Sequence, residues 1–325
     1  MANMISPFRW TNHILSPGGR GARLTVMIFH RVVREPDSLL VTEPDARHFE
    51  RLMSNVRDWF NVVPLEEAVL GLQANSLPPR ALSITFDDGY ADNHSVALPI
   101  LSRLGLHATF FIATGYLDGG CMWNDEIIET VRAHKGDMLD LRPLDLGQLP
   151  MQSIDARRSA VDLLIGRLKY EPPARRSHVA ARVRAIANVD LPANLMMKSA
   201  EVRSLCTHGM GIGAHTHSHP VLSKLAQTEA REQIAQSKRV LESLTGRPVR
   251  LFAYPHGKPG KDYTSVHVRQ VRELGFIAAC STLPGCAVAG SDAFQLPRFT
   301  PWNRQSWKFG ARLSQNLCNP VLNGT

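Results

Sequence analysis

Six short apolar runs, separated by longer segments, constrain this chain more than any other feature: LTVMIF at 24–29, LSITF at 82–86, ATFFIA at 108–113, GIGA at 211–214, RLFAY at 250–254 and FIAAC at 276–280. Runs this short are strands, and strands alternating with long connections predict an α/β fold with a parallel sheet. The connections carry helical spacing. Phe49, Leu52, Met53 and Val56 share one face before the second strand. Ala230, Ile234, Ser237, Leu241 and Leu244 share another, in a stretch closed by Gly246 and Pro248. Such helices pack outside the sheet. Residues 125–200 form the longest stretch without a strand. Val161, Leu164, Ile165 and Leu168 place an amphipathic helix there, and beyond Pro172 and Pro173 a second one uses Val179, Val183 and Ile186. This reads as a helical insertion. No repeat, low-complexity tract or linker breaks the chain, so an extension over 1–23 is followed by one elaborated domain over 24–325.

The chain's 325 residues are 44% hydrophobic, enough to bury a sizeable core and too many for a disordered chain. A formal charge of +8 suits an anionic partner, and much of it is local: residues 153–187 hold eight Lys and Arg against three Asp and Glu. Tyr170 is the one aromatic residue among them, too few for an interleaved pattern, so a solvated basic helix face is favoured over a nucleic-acid site, and no nucleic acid is expected. Cys121, Cys206, Cys280, Cys286 and Cys318 form no CxxC pair, which argues against a disulfide framework and a cysteine zinc site and favours a reducing compartment. The first 25 residues lack the apolar core of a signal peptide, and no uncharged apolar stretch nears the ~18 residues of a membrane span. The expected location is therefore the cytoplasm or the inner face of the membrane, with peripheral membrane association as a further expectation. The oligomeric state has no signature in the sequence.

Two neighbouring acids, Asp87 and Asp88, end the second apolar run in SITFDDGYADN. Adjacent strand residues point to opposite faces, but where the chain turns at Gly89 both can lean toward one site. A second cluster, GAHTHSHP, sets His215, His217 and His219 in alternation at the end of another run. A histidine-rich surface loop is the alternative, but neutral imidazoles beside a carboxylate suit zinc or a similar divalent ion. Such an ion would hold one aspartate and leave the other free to take a proton from water.

Together with HTHSHP and FAYPHG, the TFDDGY segment resembles the first three motifs of the polysaccharide deacetylases, the NodB-type carbohydrate esterases. MIFHRV at 27–32, LPILSRLGLHATFFIATGYL at 98–117, EIIETV after Trp123 and LPRF at 296–299 extend the resemblance over roughly 24–300, in the order of the exopolysaccharide-pathway branch. It implies a distorted (β/α) barrel with its site at the C-terminal ends of the strands. It also implies roles: Asp87 as general base; Asp88, His215 and His219 as metal ligands, with His217 at the variable position; and the His256 N–H as oxyanion donor. The metal is expected to be Zn2+, with Co2+ or Ni2+ as substitutes.

Two departures from the family pattern matter. Many members carry an arginine two residues before the proline of the third motif, where this chain has Ala253; Arg298 of LPRF is the expected replacement, orienting Asp87. The late LxH motif is absent, since no histidine follows His267; some members of the branch supply the acid from the first strand instead, and the resemblance then implies His30, at the end of the first run, as the catalytic acid. His94, His107 and His208 are left as structural. Tyr90 and Tyr254 beside the motifs are candidates for stacking on sugar rings, whereas Trp123 and Trp302 are expected to pack in the core. The function implied is metal-dependent removal of N-acetyl groups from a polysaccharide or a lipid-linked sugar precursor. The alternatives are an amidohydrolase on a small non-sugar amide and an idle glycan-binding homologue.

Overall fold

The computed structural model describes residues 6–322. Its principal strands are β1 (Thr25–Phe29), β2 (Asn61–Val62), β3 (Ala81–Phe86), β4 (Ala108–Ile112), β5 (Met138–Asp140), β6 (Gln148–Pro150), β7 (Gly211–Ala214), β8 (Leu251–Ala253) and β9 (Ala278–Cys280). The helices are α1 (Pro7–Leu15), α2 (Ala46–Trp59), α3 (Leu65–Gln73), α4 (Leu98–Leu104), α5 (Trp123–Ala133), α6 (Ile154–Leu168), α7 (Pro173–Ala187), α8 (Ser199–Thr207), α9 (Gln227–Thr245), α10 (Ser265–Glu273) and α11 (Ser306–Leu317).

All six apolar runs hold a strand. These strands lie side by side in the order β1, β3, β4, β7, β8, β9, all parallel, with β2 beside the start of β3. The sheet curls into a half-barrel surrounded by helices. Four irregular residues, 296–299, bridge its open side: Leu296 pairs with Cys280 and Phe299 with Met27, both parallel. The Leu296 N–H reaches the Ala279 carbonyl at 2.8 Å and the Phe299 N–H reaches that of Val26 at 2.7 Å. The segment that carries Arg298 therefore links the last strand to the first. The expected distorted (β/α) barrel is what forms.

Strand alternation sorts the core into two clusters. Met27, Phe29, Ile84, Phe86, Phe110 and Phe252 face outward and pack with helix residues such as Phe49, Leu52 and Leu241. Val26, Phe111, Leu251, Ala253, Cys280 and Leu296 face inward. Phe111 can fill the interior because Gly213 stands opposite: a Cβ there would lie 2.3 Å from the Phe111 ring. α9 ends as its sequence predicts, with Gly246 in the left-handed conformation at φ 66°.

The insertion has a core of its own, built on Trp123, Ile127, Val131, Leu139, Leu149, Leu164 and Val183. It is not wholly helical, since β5 and β6 form an antiparallel pair within it. Much of the basic charge of 153–187 holds this unit together rather than facing water. Arg157 donates to the carbonyls of Val131 and His134 at the end of α5, Arg184 pairs with Glu126 at 3.3 Å, and the buried Arg176 lays its guanidinium 4.7 Å from the centre of the Trp123 ring. The five cysteines are free. No helix among the described residues is long and apolar enough to cross a membrane.

Candidate metal centre and catalytic cavity

Inward parity continues past the C-terminal ends of the strands and delivers side chains to one place. His30 follows the inward Leu24 and Val26, Asp87 follows Ser83 and Thr85, His215 follows Gly211 and Gly213, and Arg298 follows Leu296. Asp88 has the opposite parity and would point at the helices. Its φ of 75° turns it back over the barrel, and Gly89 at φ 93° completes the turn. Thr216, His219 and His256 are also left-handed, at 64°, 49° and 61°. Each such residue costs about 1–2 kcal/mol, so the backbone strain concentrates at this mouth.

Asp88 Oδ1 lies 3.4 Å from His215 Nε2 and 3.2 Å from His219 Nε2. The three ligand atoms fall within 4.8 Å of one another, all on buried residues. His215 Nδ1 is 2.7 Å from the Ala253 carbonyl, which can only accept, so the proton sits on Nδ1 and Nε2 offers its lone pair to the centre. Asp88 Oδ1 is buried with no hydrogen-bond partner among the described residues, and the Nε2 atoms of His215 and His219 face it. Buried acceptors converging without donors are costly unless a cation stands among them, and this set of donor atoms suits a divalent ion. Burial alone would raise the Asp88 carboxyl, but His219 and His215 hold it well below the usual carboxylate range. Burial pushes His219 down to about 3, leaving it neutral as a ligand must be.

Asp87 takes a different partner. Arg298, fully buried, donates from its two terminal nitrogens to the two Asp87 oxygens at 2.7 and 2.8 Å, and its Nε donates to the Ser281 carbonyl at 2.7 Å. Burial opposes charge on Asp87, but Arg298 and then His215 override it and keep the carboxyl below its ordinary range. Ala253 faces inward with no cation to offer, so the guanidinium arrives from the closing segment instead. The His256 N–H makes no hydrogen bond within the described residues, and its ring packs edge-on 4.8 Å from that of His219.

A cavity of about 310 Å3 joins these groups: His30, Asp87, Asp88, His215, His219 and His256 line it from the barrel, and Trp123, Asp125 and Lys169 from the insertion. Tyr90 lines it too, buried, its hydroxyl donating to Asp125 Oδ1 at 3.0 Å while Arg31 covers its ring at 4.8 Å. His217 does not join; its Nδ1 is 3.0 Å from Thr114 Oγ1. Tyr254 must be corrected. It shares outward parity with Phe252, is fully buried, and stacks on Tyr263 with centroids 3.7 Å apart, so no sugar reaches it. Trp123 packs in the core as expected, whereas Trp302 is 65% exposed. Sequence reasoning passed over Asp125, whose Oδ2 is buried without a partner; burial and then Asp88 raise its pKa to about 7. An acid in the first turn of a helix reads as an ordinary dipole partner, and only the fold brings it to Tyr90.

The family model for polysaccharide deacetylase matches residues 74–136 and 177–279, just over half of the chain. The unmatched 137–176 comprise the β5–β6 pair, α6 and the start of α7. The chain is similar to the Bacillus subtilis (strain 168) protein YxkH, named provisionally as a polysaccharide deacetylase, with 19% identity over 279 residues, 85% of this chain and 71% of that one. In fold it is similar to the Streptococcus pyogenes deacetylase PplD in complex with acetate, with TM-score 0.61 and 17% identity over 91% of this chain and 98% of that one. It is also similar to IcaB from Ammonifex degensii, with TM-score 0.58 and 17% identity over 90% and 97%.

Proposed function

The chain belongs to the polysaccharide deacetylase family, and from that premise we propose that it is a metal-dependent hydrolase that removes N-acetyl groups from amino sugars of a polysaccharide or its lipid-linked precursor, releasing acetate. One observation carries this reading: two adjacent carboxylates divided between an arginine clamp and a pair of histidines, at the floor of one cavity. Asp88, His215 and His219 would hold the ion, zinc by the chemistry of the donors with cobalt or nickel as substitutes, and when bound it would polarise the acetyl carbonyl and acidify a water. Asp87 is the base that accepts the proton of the attacking water. Arg298 keeps it ionised and fixes the plane of its carboxylate. The His256 N–H, free of any acceptor among the described residues, donates to the oxyanion as the carbonyl carbon becomes tetrahedral, a contact worth about 3 kcal/mol. His30, exposed on the cavity wall, protonates the amine nitrogen, which is too basic to leave as an anion. Tyr90 presents its edge to the sugar, one face being taken by Arg31.

The test is acetate release by zinc-loaded protein from N-acetylglucosamine oligomers, run beside small cyclic and linear ureides. Asp87→Asn should cost on the order of 10³-fold in rate while metal content stays at wild-type level. Turnover of ureides alone would replace the reading with the small-amide hydrolase. No acetate from any oligomer, or indifference to Asp87→Asn, would leave a glycan-binding homologue.

A further inference from the structure

The two ends of the chain meet on one side of the barrel and carry no acidic residue. Residues 1–34 hold five Arg and 293–325 hold four Lys and Arg, with no Asp or Glu in either segment; of these, Arg31 pairs with Asp92 and the buried Arg298 with Asp87 at the cavity. α1 and α11 lie parallel: Phe8 covers Gly310, where a Cβ would come within 2.6 Å of its ring, and one turn further on Ser314 donates to Asn12 Oδ1 at 2.7 Å. Beneath them, Trp59 packs between Phe8 and Phe309.

Their outer surface carries large apolar side chains among its polar ones. Trp10 and Ile14 stand one turn apart on α1 at 63% and 68% exposure, Trp307 on α11 is 64% exposed, and Trp302 just ahead of α11 is 65% exposed. The two remaining tryptophans of the chain, Trp59 and Trp123, are buried. All three exposed tryptophans thus belong to the two segments that lack acids. Arg9, Arg304 and Lys308 are exposed among them, and Arg312 lies 5.2 Å from the centre of the Trp302 ring.

We propose that this face docks on the surface of an anionic phospholipid bilayer. Indole rings suit headgroup depth, apolar in body and polar at one edge, while Lys and Arg meet the negative lipid phosphates. A second copy of the chain would set the exposed Arg9, Arg304 and Lys308 of one copy against those of the other, and duplex nucleic acid would use the charge but leave Ile14 in water. The inference is independent of the proposed reaction. It would hold an enzyme with no membrane-spanning helix in its described residues beside a lipid-linked or envelope glycan.

The experiment is co-sedimentation of the full chain with phosphatidylcholine vesicles that contain one third phosphatidylglycerol, and with pure phosphatidylcholine vesicles. The expected result is at least tenfold stronger binding to the anionic vesicles, weakening as salt is raised. Trp10→Ser with Trp307→Ser, and separately Arg9→Gln with Lys308→Gln, should each lose about tenfold in binding, with the melting temperature and acetate release from soluble oligomers unchanged. Protein that stays in the supernatant, binds both vesicles equally, or ignores the substitutions overturns the proposal. So does a concentration-dependent dimer, abolished by the tryptophan pair and without vesicle binding, which would assign the face to a second copy.

Discussion

The two ends of one parallel sheet hold hollows of similar size and opposite character. At the C-terminal ends of the strands, about 310 Å3 is lined by paired carboxylates and four imidazoles. At the N-terminal ends, about 350 Å3 lies among Glu66, His107, Thr109, Cys206, Gly211 and Leu251, where no three candidate ligands converge. His107 there is governed by burial alone, which pushes its pKa to about 4, whereas His215 is drawn upward by Asp87 and Asp88 against the same effect of burial. Three of the nine non-glycine residues with positive φ among the described ones, Asp88, His219 and His256, line the first hollow, and none lines the second. Space is therefore a poor mark of a site here. Opposed charges and a backbone held in costly conformations are the better mark, because both need a compensating ligand or reaction to be tolerated.

The contrast breaks most completely at Asp88. Asp88→Ala should abolish metal retention after dialysis, read by elemental analysis, and lower acetate release on the order of 10³-fold or more. Next comes Arg298→Ala, which leaves Asp87 buried and uncompensated. Denaturant unfolding should show a loss of about 3–5 kcal/mol, with a fall of roughly 10²-fold in kcat/KM, and Arg298→Lys should rescue little of either because it cannot form the two-pronged contact.

Asp125 gives a sharper test because it acts by pH. Its pKa is raised to about 7 in the folded state, so the fold binds its proton more tightly than the unfolded chain does. Its contribution favours folding below about pH 4 and is lost as pH rises toward 7. In metal-free protein, wild type should lose on the order of 2–4 kcal/mol relative to Asp125→Asn across that window. A difference that stays flat with pH would show that the carboxyl titrates normally. Gly213→Ala, below the site, should cost about 1–3 kcal/mol through the Phe111 clash and leave the metal affinity of the folded fraction intact. The smallest change is expected in the other hollow, where His107→Gln should alter acetate release by less than twofold.

Much of this was legible beforehand. Each apolar run holds its strand because period-two burial and local β preference agree there, and Asp87, Asp88, His215 and His219 were found because they follow those runs directly. The same parity that brings His215 inward sends Tyr254 outward with Phe252, so the misplaced tyrosine could have been caught from the alternation alone. Trp302 could not: nothing local distinguishes a tryptophan that packs from one that faces water.

What the sequence determined by itself was the set of strands, the acids and imidazoles at their ends, and the helical character of most of the insertion, all of which rest on neighbours within a few residues. The resemblance named Arg298 for Asp87, 211 positions away, but only the tertiary structure decided the two-pronged form of that contact, that Asp125 meets Tyr90, and that the two ends of the chain pack together. Those contacts depend on how the sheet curls and where its open side closes, and no period along the chain encodes the distance between residues that meet across a barrel.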